Sequence, residues 1–422
     1  MFAIFKITKP TNIIAIVGLV FSQMLLAGDL KAPFDFENTL VLPANVRNPR
    51  FKDLIMFVDE RIGGDGTVSP LGNRLNKPVT WKDVVDAQDD STQKAVLQGY
   101  LASKGISGDG TAGATNGVVN TYANIKVPVL AWGITSRFTL AVAVPVYHVE
   151  VNADTGFGIS QDGQKFLDSL PDPVKRREAE IKFNNAVNRK LARLGYESIQ
   201  STTVNNIGDV SFVGKYRLFE VTHGLSADSV SLKGTLVAPT GVAPNANKAL
   251  DVPTGDGQWD VGLMAIYDHR FSENLKMSAF GGYTAQLKSR MEKRIPVSND
   301  EILSADKEVL DRKLGDMMTA GVSTQYQFDM GLALAAGYAI QHQNAADYGG
   351  TAFDPSRYRI LEFDTMQQLQ TVSVGIGFNG VELYQRHKLP VPFQFNTVFS
   401  HPVTGINVTK NDLIAVEASL FF

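Results

Sequence analysis

The sequence predicts an all-β chain, folded as an antiparallel up-and-down transmembrane β-barrel of about twelve strands, with helical insertions in long extracellular loops. Three observations carry this expectation. The chain ends in an amphipathic strand that stops on an aromatic residue. It begins with an export signal. Between these, alternating segments are joined by connections of two distinct lengths.

At the C-terminus, Ile414, Val416, Ala418, Leu420 and Phe422 alternate with Ala415, Glu417, Ser419 and Phe421. A period of two means a strand with one apolar face and one mixed face. Phe422 is the expected assembly signal, read by the barrel assembly machinery. At the N-terminus, Lys6 and Lys9 precede an apolar run from Ile13 to Ala27, broken only by Gly18, Ser22 and Gln23. A positive stretch followed by a short apolar one predicts a signal peptide over residues 1–27, although Leu25 suits the cleavage site poorly. The run is shorter than the roughly 20 residues that a spanning helix needs. Zero Cys excludes disulfides, thiolate metal sites and a lipoprotein anchor. Residues 28–49 are then expected as a periplasmic N-terminal segment and 50–422 as the barrel.

Candidate strands fall near 50–61, 117–130, 137–149, 206–219, 229–239, 257–270, 275–286, 315–328, 331–342, 367–380, 390–400 and 410–422. Connections at 131–136, 220–228, 271–274, 329–330 and 381–389 are short. Those at 62–116, 150–205, 240–256, 287–314, 343–366 and 401–409 are mostly long. Short turns belong to the periplasmic side of an outer-membrane barrel and long loops to the cell exterior. An even count returns both termini to the periplasm. The expected partners are outer-membrane lipid, the assembly machinery and a small-molecule solute, in the outer membrane of a Gram-negative cell.

The faces follow from the alternation. Phe138, Leu140, Val142, Val144 and Val146 form one lipid-facing set. Val210, Phe212, Gly214, Tyr216 and Leu218 form another, and Val230, Leu232, Gly234, Leu236 and Ala238 a third. Trp259 and Tyr267 share a face with Val261, Leu263 and Ala265. They stand eight residues apart, which spans roughly 20 Å of membrane normal on a tilted strand and suits an aromatic girdle at each edge. On the opposite faces, Lys126, Lys215, Arg217 and Lys233 make a basic strip, joined by Asp260, Asp268 and Glu417. These seven are the expected lumen lining, either as a selectivity field for solutes or as salt bridges that stiffen the wall. Helical patterns occupy 81–103 and 172–194, the second punctuated by Pro173 and Gly195.

Enzyme signals are poor. There is no nucleophile elbow, His-Glu-x-x-His or phosphate loop, and the six His residues are scattered without ligand spacing. A net charge of −3 argues against a nucleic-acid partner. Gly64-Asp65-Gly66-Thr67, Gly108-Asp109-Gly110-Thr111 and Gly255-Asp256-Gly257 read as turns more readily than as calcium loops, and no cofactor is expected.

Gly208-Asp209-Val210 opens a strand that runs to Lys215-Tyr216-Arg217. A second strand ends in Ala238-Pro239-Thr240-Gly241, and Gly255-Asp256-Gly257 leads into Trp259-Asp260-Val261-Gly262. With the turn Trp132-Gly133-Ile134-Thr135-Ser136-Arg137, this order resembles the outer-membrane family associated with the meta pathway of phenol degradation. The resemblance covers about half of the mature chain and implies a channel or transporter for small, aromatic solutes. Residues 150–205 look like an insertion relative to a simple member. The alternative is a structural or surface-interaction barrel with a closed lumen.

Overall fold

The computed structural model describes residues 36–422 except 87, 89, 90 and 299–302. The expected signal peptide lies outside the described residues. Twelve strands make the barrel: β1 (Arg47–Ile62), β2 (Thr111–Thr135), β3 (Phe138–Ala143, resumed as Val146–Ile159), β4 (Thr202–Ile207, resumed as Val210–His223), β5 (Ser226–Ala238) and β6 (Asp260–Arg270), then β7 (Leu275–Gln286), β8 (Met317–Gln327), β9 (Leu332–Gln343), β10 (Gln367–Asn379), β11 (Phe393–Ile406) and β12 (Val408–Leu420). Each pairs antiparallel with the next, and β1 pairs with both β12 and β2, so the wall is closed and no edge remains.

All twelve expected strands are present, and the faces follow the alternation. Leu263, Phe212, Leu140 and Ile376 are exposed on the outside, whereas Asp260, Ile266 and Asp268 are buried within. The interruptions have local causes. Pro145 lacks an N–H and cannot continue the ladder of β3. The neighbouring strands are stitched across the gap, where Val144 N donates to Pro128 O (3.1 Å) and Gly208 N to Pro145 O (2.8 Å).

Two expectations need correction. Residues 401–409 are not a loop. They are the ends of β11 and β12, which turn through Asn407 alone at φ 54°, a left-handed conformation that Asn tolerates. Nor does residue 50 open the barrel on a free periplasmic segment. β1 starts at Arg47, and the described residues before it run inside the barrel.

The long connections fill and cover the extracellular end. Helices α1 (Trp81–Asp86), α2 (Ser91–Ser103), α3 (Gln161–Ser169) and α4 (Pro173–Asn184) enclose an apolar cluster of Trp81, Leu101, Phe157, Leu167 and Phe183. Phe157 and Phe183 stack at 5.1 Å. Helix α5 (Ala186–Arg193) goes elsewhere. Its Leu191 joins Leu71, Leu75 and the inward residues Leu54, Met56, Ile125, Val149 and Leu413 in one core. The β1–β3 side of the interior is therefore apolar and packed by loop residues, unlike the mixed lining expected from sequence. A small sheet of 289–294, 307–313 and 347–349 covers the far side.

Candidate functional site

Residues 36–45 form a strap across the barrel interior. At one end Asn45 N donates to Gly133 O at 2.7 Å, and Gly133 N donates to Val46 O at 2.9 Å. A side chain at Gly133 would collide with the strap, since a Cβ there would lie 1.9 Å from Pro43 O. Leu42 N donates to the Thr139 hydroxyl at 2.7 Å. Thr39 is gripped from three sides. Its N–H and hydroxyl both donate to Asp268 Oδ2 (3.0 and 2.9 Å), and its carbonyl accepts from the Ser231 hydroxyl at 2.7 Å. Lys215 Nζ donates to Asn38 O at 2.9 Å, and Lys233 forms an ion pair with Glu37. At the far end Phe36 lies against Gly337 and Gly375 of β9 and β10, where only glycine leaves room for the ring.

The strap thus spans from β2 to β9 and β10 and occupies the cross-section that the sequence assigned to a charged lining. Lys215 and Lys233 are opposite each other in the β4–β5 register and both point inward. Asp268 lies further along the same wall, with Lys276 Nζ at 3.7 Å from its Oδ2. Inward alternation from four adjacent strands, β4 to β7, supplies all of these groups. Neither Glu37 nor Thr39 carried a sequence signal, because their partners stand about 190–230 positions away.

The remaining expected residues separate from this group. Arg217 sits at the periplasmic turn, where Nη1 donates to Glu220 at 2.6 Å and Nη2 to Ser136 O at 3.2 Å. Glu417 pairs across the wall with Lys52 at 3.0 Å and stands 3.9 Å from Arg50. Asp260 is buried at the extracellular end, accepting from Gln258 Nε2 at 3.2 Å. Above it, Arg312 donates to the Asp256 backbone carbonyl. Burial raises the Asp256 carboxyl from 3.8 to about 6, and burial lowers Lys293 in the covering sheet to about 8. Trp259 and Tyr267 are exposed on the outside, Tyr267 donating to Asp228 at 2.6 Å. Phe422 closes the ladder against Arg47 through its backbone, with its ring in the open.

Lys126 is a correction. It lies on the outer face, opposite Asp53 in the β1–β2 register and 3.6 Å from it. The reason is parity. In β2 the odd-numbered residues Ala123, Ile125 and Val127 face inward, so the even-numbered Lys126 faces out. Asp65, a candidate calcium ligand in the sequence, accepts from Thr67 N (3.0 Å) and Oγ1 (2.7 Å) within its own turn.

A closed antiparallel wall with short turns at one end, long loops at the other and an apolar outer band defines an outer-membrane β-barrel. The chain belongs to the family described as "Putative MetA-pathway of phenol degradation", whose model matches residues 86–378. Among solved structures it is similar to an outer membrane channel from Pseudomonas putida F1, with a TM-score of 0.53 and 12% identity over 92% of this chain and 99% of that one. The toluene transporter TodX of Pseudomonas putida matches at a TM-score of 0.33 and 10% identity, over 96% of this chain and 97% of that one. The toluene transporter TbuX of Ralstonia pickettii matches at 0.34 and 10%, over 97% and 99%. No curated protein matches.

Proposed function

We propose that the chain is an outer-membrane channel for passive diffusion of small solutes, apolar and aromatic ones among them, and that the strap is its closure. The carrying observation is that Lys215, Lys233 and Asp268 Oδ2, all inward from the wall, bond to the strap. A permanently closed barrel has no need of a separate segment, because wall pairs such as Lys52 with Glu417 suffice. The apolar core under β1–β3 supports passage of uncharged solutes, since it is filled by residues of the loops rather than by the wall alone. The similar Pseudomonas putida F1 protein is an outer membrane channel, which supports this reading. No catalytic role is assigned to any residue.

Conductance in a planar bilayer tests the proposal. The full chain is expected to open rarely, and a chain lacking residues 36–44 often. Lys215→Glu with Lys233→Glu in the shortened chain should move the reversal potential in a salt gradient towards cation selectivity. A shortened, folded barrel without conductance would make the structural reading the better one.

A further inference from the structure

The outer wall of β1 and β2 carries charge where lipid is expected. Tyr122 and Trp132 stand on the outer face of β2 ten residues apart, which corresponds to roughly 25 Å of membrane normal on a strand tilted by about 40°. That is the full height of the apolar band. Lys126 lies between them, about 10 Å below the upper edge. Half of its side chain is exposed (51%). Asn124 Nδ2 donates to Asp53 Oδ1 at 2.7 Å and Lys126 Nζ to Asn124 Oδ1 at 3.0 Å, so the three form one outward cluster. Polar pairs continue on either side. His148 meets Asn205 at 2.7 Å and Glu150 at 3.1 Å, and His401 meets Asp412 at 2.6 Å.

The opposite wall differs. The outward residues of β6 to β9 in the band, from Val261 and Leu263 through Tyr283, Met318 and Val322 to Leu334 and Tyr338, include no Lys, Arg, Asp or Glu, and His342 stands outward opposite Met318. The barrel therefore has one lipid-compatible half and one half on which hydrocarbon would strand a lysine and an aspartate. Inward of this cluster, Leu54, Met56, Ile125 and Val127 are packed with Leu71, Leu75 and Leu191, and the one inward charge beside them, Lys52, is already paired with Glu417. Large apolar side chains frame the cluster: Phe51, Phe57, Leu130 and Trp132 are all exposed, and Phe57 packs on Tyr122 at 5.1 Å. Charged residues at membrane depth face protein or a water-filled cavity rather than lipid, so this pair calls for a protein neighbour.

We infer that this wall, centred on Asp53 and Lys126, is covered in the membrane by a second copy of the chain. Charge complementarity selects that occupant. The acid lies on β1 and the base on the adjacent β2, so a two-fold axis along the membrane normal sets each acidic column against a basic one. Lys126 keeps an ammonium donor for such a contact beyond its bonds to Asn124 and Asp53. This inference does not rest on channel activity.

The chain has no Cys, so a single introduced thiol reports its own surroundings. Leu130→Cys, oxidised with copper–phenanthroline in intact outer membranes, should give a band of doubled mass, whereas Leu263→Cys on the other wall should not. Light scattering of the wild-type protein in mild detergent should give the dimer mass, and Asp53→Leu with Lys126→Leu should reduce the dimer at least about tenfold. Monomer mass together with no Leu130→Cys cross-link would overturn the inference. So would cross-linking of Leu130→Cys to a different protein. A double-Leu variant that melts higher at unchanged mass would also overturn it, because that result identifies a lipid-facing surface.

Discussion

Neutralising the two carboxylates that hold the strap, Glu37→Gln with Asp268→Asn, should release it. Ordering the ten residues from 36 to 45 costs roughly 10–20 kcal/mol of conformational entropy. Four charge-assisted contacts oppose that cost: two from Thr39 to Asp268, one from Lys215 to Asn38 O, and the Lys233–Glu37 pair. At about 1.5–3 kcal/mol each, with smaller terms from the neutral bonds of Ser231, Leu42 and Asn45, they recover much of it. Burial of Leu42 adds about 2–3 kcal/mol and the partial burial of Phe36 about 1–2. The total is roughly 11–21 kcal/mol, so the docked strap lies within a few kcal/mol of balance. Removing both charges should cost about 3–4 kcal/mol and raise the undocked population by roughly two to three orders of magnitude. Open probability in planar bilayers reads this directly, with the chain lacking residues 36–44 as the upper limit. If that shortened chain conducts freely while the double variant stays as closed as wild type, the charged contacts do not hold the strap. If neither differs from wild type, the strap is not the closure.

Leu263→Arg should lower barrel stability by roughly 2–4 kcal/mol, measured by urea unfolding in lipid vesicles, while Met264→Arg one residue on faces inward and should be milder. Equal damage would mean that the face assignment of β6 is wrong. Deleting Phe422 should slow insertion of an otherwise intact chain by the assembly machinery, and heat-modifiability on a gel would show undiminished assembly if the role is misplaced. Because the folded Asp256 carboxyl titrates above its unfolded value of 3.8, its contribution to stability is fully present below about pH 4. It is lost as pH rises to about 6, by about 3 kcal/mol at most. Asp256→Asn should therefore raise the melting temperature at pH 7.5 but not at pH 4, and an equal effect at both would refute burial as the cause.

The strands were legible because their signal is local. Alternation at Phe138–Val146 or Val261–Tyr267 is set by the pleat and survives any tertiary context. Membrane placement was legible from connection lengths. Inwardness was harder. Lys126 was misread because the odd residues of β2 around it, Val119, Ala123, Ile125 and Val127, are more apolar than the even Asn120, Asn124 and Lys126, so the polar set looks like the lumen face. An interior packed by Leu71, Leu75 and Leu191 removes the usual rule that the polar face is the inner one. The strap was illegible for a different reason. Glu37 and Thr39 sit in a short stretch with no periodicity, and Gly133, Thr139, Ser229 and Ser231 that receive it look like ordinary barrel residues until the wall curves them together.

The strap is also continuous with β1, the strand whose pairing with β12 seals the cylinder. Its anchor points lie on β3 to β6 and on β9 and β10, which exist as surfaces only once those strands have folded. The last stave and the stopper are therefore a single piece of polypeptide, like a cork tied to the hoop of its cask. A chain made this way can finish its wall and fill its bore in one movement.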